Sequence, residues 1–287
     1  MLAMTFDCHT HIFGAEITQN RDRYCASDAC FGMLYSNSKA RLMSAEDLIH
    51  AMDDRQISRS AVLNIGWESH DTCVRTNDYI LESIARYPDR LIGFCSIQPK
   101  ETEKALAEID RCRLAGAAGI GELRPDVQGY GLDELSLMGT IAARLKEHGM
   151  TLLLHASEPV GHAYTGKGSV LPQYLYKFVE QNPGLKVVLA HFGGGLAFYE
   201  LMPEVARTLA NTFYDTAAAP FLYSPQIYTA LLPVIGSGRL LFGSDWPLLD
   251  QVRVLDHVRS AGLSPKDLDN VLRANAERLF GVAKGTG

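Results

Sequence analysis

The sequence lacks any run of about 18 apolar residues, the length that would cross a bilayer. It has no Cys-x-x-Cys pair, so a thiolate zinc knuckle is not expected. The six cysteines (Cys8, Cys25, Cys30, Cys73, Cys95 and Cys112) are too few and too scattered for a disulfide framework. Basic excess is absent too: 27 Lys and Arg against 33 Asp and Glu leave a net charge of −6, a poor match for a phosphate backbone. Nucleic acid and membrane are therefore not expected partners. No Gly-x-Gly-x-x-Gly follows the first strand segment, and no Gly-x-Ser-x-Gly occurs, which disfavours a dinucleotide fold and a serine hydrolase. The opening residues, Met1 to Asp7, carry neither a basic nor an apolar leader segment. Together with reduced cysteines, this points to the cytoplasm. Repeats, linkers and low-complexity tracts are missing, so residues 1–287 read as one domain.

What remains is a chain of 287 residues, 47% hydrophobic, able to bury a sizeable core. Short apolar runs predict strands at Met4–Cys8, Ser60–Ile65, Leu91–Ile97, Ala118–Leu123, Met150–His155, Lys186–His191, Asn211–Thr216 and Arg239–Gly243. Several are continuously apolar, as strands of a parallel sheet covered on both faces are. Amphipathic stretches alternate with them: Ser44–Gln56, Asp71–Tyr87, Glu101–Ala115, Leu132–His148, Ser169–Gln181, Gly195–Leu209, Ser224–Ile235, Gln251–Ala261 and Pro265–Phe280. Eight alternations in one α/β chain predict a (β/α)8 TIM barrel rather than an open doubly wound sheet. Residues 12–43, between the first strand and its helix, far exceed the usual ~2–6 residues and are read as a lid or cap over the carboxyl end of the barrel. Phe13, Tyr24, Phe31, Leu34 and Tyr35 give this segment the means to pack.

The chemistry-bearing residues fall at the strand ends. The first strand runs into His9-Thr10-His11, and alternation with period two aims both imidazoles the same way. The fifth ends at His155, the sixth at His191, and the eighth runs into Ser244-Asp245. Any one of these histidines could be a hydrogen-bonded core residue. Four histidines and an aspartate at one end of a barrel form a metal site, with nitrogen and oxygen donors that suit zinc first and also manganese, iron or cobalt.

This ordered set resembles the amidohydrolase superfamily, in its amidohydrolase-related branch, whose members include aminocarboxymuconate-semialdehyde decarboxylase. The resemblance rests on His9-x-His11, His155, His191 within His191-Phe192-Gly193-Gly194, and Asp245 within Gly243-Ser244-Asp245-Trp246-Pro247, and spans residue 4 to about residue 280. It implies that His9, His11, His155 and Asp245 bind a divalent metal, with His191 beside it. Glu122, at the end of the fourth strand, has three readings. It bridges two ions, with His155 and His191 on the second; it stands near a single ion and its water; or it forms a structural ion pair with Arg124.

These groups lead to two reactions. In the first, a hydrolase activates water, with Asp245 moving the proton and His191 stabilising the oxyanion, on a small anionic ester, amide or lactone. The alternative, which the resemblance also implies, is non-oxidative decarboxylation of an aromatic or muconate-type acid. Arg124, His162, Tyr164, Lys167 and Trp246 are the substrate-side candidates, Arg124 because a guanidinium pairs bidentately with a carboxylate. A non-enzymatic metal-binding protein is disfavoured, since every ligand position is filled by a competent residue. A small-molecule substrate is expected, and a homodimer is the ordinary state for such an enzyme.

Overall fold

The computed structural model describes residues 5–282. Eight parallel strands follow one another around a single sheet: β1 (Thr5–His11), β2 (Ile57–Leu63), β3 (Leu91–Cys95), β4 (Gly119–Leu123), β5 (Thr151–Leu154), β6 (Val187–Leu189), β7 (Thr212–Asp215) and β8 (Leu240–Leu241). Closure between β8 and β1 comes from Cys8 N–H donating to Phe242 O (2.7 Å) and His11 N–H to Trp246 O (2.7 Å), while Asp245 N–H returns to His9 O (2.9 Å). Gly243 makes this approach possible, because a Cβ there would lie 2.8 Å from the Cβ of His9. The fold is the expected (β/α)8 barrel.

Alternation sorts the strand residues. Phe6, Ala61, Leu63, Phe94, Leu153, Val188 and Leu241 fill the barrel, and Leu279 and Phe280 of the C-terminal helix plug its lower end. Val62, Ile120, Leu152, Leu154, Val187 and Leu189 face outward into the layer of helices. Two departures from strict alternation bear on the site. In β1, Asp7 pairs with Ser60 but Thr10 with Val62, so β1 carries one extra residue there. In β4, Ile120 pairs with Leu152 and Leu123 with Leu154, again one extra. Such bulges re-aim side chains. The first sends His9 inward although Cys8 is inward as well, and the second sends Glu122 inward although Gly121 already turns toward Leu153 of the interior.

Local chemistry explains the helices. Helices α1 (Ala15–Gln19), α2 (Arg21–Ser27) and α3 (Ala29–Tyr35) precede α4 (Ala45–Arg55). Ser44 and Asp47 form a reciprocal capping box at the start of α4, with Asp47 N–H on Ser44 Oγ (3.1 Å) and Ser44 N–H on Asp47 Oδ2 (2.8 Å). α1 to α3 build the cap. Phe13, Ile17, Tyr24, Phe31 and Tyr35 bury against Ile65 and Trp67 beyond β2, with the Phe31 and Trp67 rings stacked at 5.2 Å and 16°. The Asp28 carboxylate caps α3 through Phe31 N–H (2.9 Å) and accepts Glu68 N–H (2.8 Å) from the barrel side.

Several boundaries differ from the sequence reading. β1 extends through His11, and Met4 lies outside the described residues. β6 stops at Leu189, because His191 and Phe192 adopt left-handed backbone (φ 54° and 56°). The stretch 195–209 divides into Leu196–Leu201 and Pro203–Thr208, since Pro203 cannot continue the preceding hydrogen bonds. Likewise Ser169 to Leu171 stay outside the helix, with Leu171 extended before Pro172, which takes the first helical position of Pro172–Gln181. Wide turns at Leu135–Gly139 and Asn270–Ala274 interrupt two other runs. All six cysteines are free. Among the described residues, no helix is long and apolar enough to cross a membrane.

Candidate active site

A cavity of about 440 Å³ opens at the carboxyl end of the barrel, with His11, Glu122, His155, His191 and Asp245 at its floor. His9 lies just beneath, fully buried. The Nε2 atoms of His9 and His11 are 3.2 Å apart. Asp245 Oδ1 stands 3.8 Å and 3.5 Å from those two nitrogens, and Glu122 Oε2 stands 3.7 Å from each. On its other side Glu122 Oε1 meets His155 Nδ1 at 2.8 Å and His191 Nε2 at 3.7 Å. Glu122 thus belongs to two ligand clusters, one with His9 and His11 and one with His155 and His191.

The donor set fits a divalent metal. Two imidazole nitrogens bound tetrahedrally at ~2.0–2.1 Å would lie roughly 3.3 Å apart, close to the spacing of His9 and His11. His11 Nδ1 is buried without a partner, and the neighbours of the Glu122 and Asp245 carboxylates are imidazoles. A compact group of carboxylates buried among histidines calls for a cation, either protons or a metal.

The titration directions reflect the same crowding. Burial works against ionisation of Asp245, yet the hydrogen bond from His11 and the charges of His9 and His191 hold it down at about 2. Burial disfavours the His191 cation too, but Glu122 and Asp245 outweigh it and lift His191 to about 9. His155 moves the other way, to about 4, through burial and the positive charge of Arg124. Neighbouring imidazoles thus differ in their hold on a proton, the pattern of a proton-transfer site.

The backbone fixes these groups. Glu122 N–H donates to Asn64 O at 2.7 Å, tying the β4 bulge to the end of β2. The Asn64 side chain is itself held by Thr76, Asn77 and the Trp67 indole. Asp215, at the end of β7, accepts from His9 Nδ1 and from His191 N–H, each at 2.9 Å. Asp7 accepts from Ser244 Oγ (2.6 Å) and Gln251 Nε2 (2.7 Å), anchoring the segment that carries Asp245.

Arg124 reaches the cavity although it is only 2% exposed. Its Nη2 donates to Asp126 Oδ2 at 3.2 Å and its Nε has no partner, so the ion pair is with Asp126 rather than Glu122. Gly168 seats the 158–168 loop against this pair, where a Cβ would fall 1.9 Å from Asp126 Oδ2. His162 and Tyr164 line the cavity, with Tyr164 O–H donating to Glu158 at 2.8 Å. Two proposed contacts lie elsewhere. Trp246 is buried in the outer core, because Asp245 takes left-handed backbone (φ 65°) and Trp246 then pairs with Thr10 of β1; Pro247 and Leu248 form the wall instead. Lys167 Nζ turns to the carbonyls of Val160 and His162.

Sequence reasoning missed Asp215, Asn64 and Ser157 around the floor. It also missed Lys39 and Arg41, which the cap brings to the cavity, and the apolar walls Leu34, Tyr35, Phe221 and Leu222. Among these, Asp215 at a strand end was the one with a signal to follow.

The profile of the Amidohydrolase family matches residues 6–282. The chain belongs to that family. A gamma-resorcylate decarboxylase of Polaromonas sp. (strain JS666 / ATCC BAA-500) is 23% identical over 256 residues, covering 74% of this chain and 77% of the relative. A 2-amino-3-carboxymuconate-6-semialdehyde decarboxylase of Dictyostelium discoideum is 23% identical over 247 residues, 72% of this chain and 65% of that one. Among solved structures, a 5-carboxyvanillate decarboxylase of Novosphingobium aromaticivorans, with bound manganese and a substituted nitrobenzoic acid, superposes with a TM-score of 0.82 at 19% identity, over 98% of each chain. This chain is a metal-dependent enzyme of the amidohydrolase fold.

Proposed function

We propose that this enzyme removes carbon dioxide, without redox change, from a small aromatic or muconate-type carboxylic acid. The observation that carries the reading is Arg124, buried at the cavity wall with an unpaired Nε beside the histidine–carboxylate cluster. A buried guanidinium with unused donors is built to receive a carboxylate. Tyr35, Leu34, Phe221 and Leu222 offer apolar walls for a planar body, while Lys39 and Arg41 place positive charge at the cap side. The decarboxylase relatives support the same choice over hydrolysis, which the sequence alone had put first.

A divalent ion held by His9, His11 and Asp245, manganese or zinc, would supply Lewis acidity toward the bound carboxylate. Arg124 orients that carboxylate against the apolar walls. His191, at the cavity floor beside Glu122, is placed to give a proton to the carbon bearing the carboxylate. The C–C bond then breaks, carbon dioxide leaves, and the bonding pair restores the conjugated system. Solvent returns one proton to His191, so each turnover consumes one proton.

Hydrolysis of a small ester, amide or lactone is the second reading, and Glu122 favours it. Its two oxygens address different histidine pairs, which suits a carboxylate shared by two ions with His155 and His191 on the second. The two readings part over His191, a proton donor in the first and a ligand in the second.

The test is to load the protein with manganese or zinc and offer it hydroxybenzoates and carboxyvanillate, with simple esters and lactones alongside. Carbon dioxide release that Arg124→Ala abolishes is the expected result. Acid release from esters or lactones, with no carbon dioxide from any acid, would overturn the proposal.

A further inference from the structure

We infer that Asp215 is a positioning residue that fixes the ring tautomer of His9 and thereby makes its Nε2 available to the metal. The inference rests on the cluster holding a divalent ion and is independent of which reaction follows.

Asp215 is fully buried at the end of β7. Its Oδ1 accepts two backbone N–H groups, from His191 at 2.9 Å and from Ala217 at 3.0 Å. Its Oδ2 lies 2.9 Å from His9 Nδ1. A carboxylate can only accept in these contacts, so His9 must carry a hydrogen on Nδ1. A neutral His9 then has its lone pair on Nε2, the atom that faces His11, Glu122 and Asp245. A ligating histidine whose other nitrogen donates to a carboxylate is also more basic and cannot rotate away.

The same end of β7 orders the neighbouring histidine. Ala217 O receives His191 Nδ1 at 2.9 Å, and Asp215 holds the N–H of His191 in its left-handed backbone conformation. One carboxylate therefore couples the first strand's ligand to the main chain that carries His191.

Asp215→Asn tests this cleanly. The two backbone donors at Oδ1 hold the amide oxygen in place, so the amide nitrogen must face His9. That nitrogen can only donate, which moves the His9 hydrogen to Nε2 and blocks ligation. Manganese affinity, measured by competition with a fluorescent chelator, should fall 10–100-fold. The melting temperature of the protein without metal should change little. Proton NMR should show downfield signals of two imidazole N–H groups donating to buried carboxylates in wild type, from His9 and from His155, and only the His155 signal in the variant. Wild-type manganese affinity in Asp215→Asn would overturn the inference. So would a loss of melting temperature without metal that tracks the affinity loss, because Asp215 would then be structural. If wild type itself binds no manganese, the metal reading fails, and the NMR signal still decides whether Asp215 sets the tautomer.

Discussion

Glu122 Oε1 rests 2.8 Å from His155 Nδ1, while the second oxygen of the same carboxylate turns toward the histidines of β1. One side chain on β4 thus joins both halves of the cluster. Replacing it is the most direct way to count ions.

Wild type should bind about one equivalent of manganese or zinc, and Glu122→Gln should bind it more weakly, because an oxygen facing His9 and His11 loses its charge. Elemental analysis after gel filtration checks this. Two equivalents in wild type, falling to one in the variant, would move the assignment to hydrolysis.

Arg124→Lys keeps the charge but loses the planar fork. The KM for a carboxylate substrate should rise tenfold or more, the cost of ~1.5–3 kcal/mol for a charged hydrogen bond. Manganese affinity should stay within a few-fold of wild type. Steady-state kinetics and chelator competition separate the two effects. An unchanged KM would remove Arg124 from substrate binding.

The cap belongs to the barrel's packing, so Phe31→Ala should destabilise the whole chain. Phe31 is fully buried between Trp67 and Tyr35, and such truncations cost about 3–5 kcal/mol. A drop of roughly 10 °C in melting temperature is expected at this size. A change of a degree or two would mean that the cap folds separately.

Glu108 supplies a pH-dependent test away from the site. Burial raises its pKa, but hydrogen bonds from Arg111 (2.7 Å) and Asn77 (2.7 Å) overcome this and hold it below the usual range. A depressed folded pKa contributes stability above the unfolded value, about 4.3, and loses it as pH falls through the folded value. Glu108→Gln should therefore melt lower than wild type at pH 7, with the gap closing below about pH 4. Melting curves across pH 3–7 follow it, and a constant gap would assign the effect to packing alone.

Much of this site was legible because His155 and His191 directly follow apolar runs, Asp245 follows one after Gly243 and Ser244, and a closed parallel barrel gathers such ends at one rim. The one-residue slips in β1 and β4 left no mark in the sequence, since Cys8 and Gly121 obey the same apolar pattern on either register. Trp246 was misplaced because the left-handed turn at Asp245 and the pairing of Trp246 with Thr10 carry its ring into the outer core, and neither shows in the spacing. Lys39 and Arg41 come to the cavity through the fold of the cap, which depends on Arg21 bonding the carbonyls of Ser38 and Ala40, contacts that no spacing rule foretells. Asp215 carried a signal as an acid at a strand end, but its role did not show, since its partners lie 206 and 24 residues away.

The stacking of Phe31 on Trp67 has a wider meaning. A roof whose aromatic rings are shared with the chain beyond β2 cannot swing open without exposing that core to water. Lys39 and Arg41 of the cap and His162 and Tyr164 of the 158–168 loop line the same cavity as Arg124. A substrate must therefore fit the cavity as the cap leaves it, with Leu34, Tyr35, Lys39 and Arg41 as standing wall.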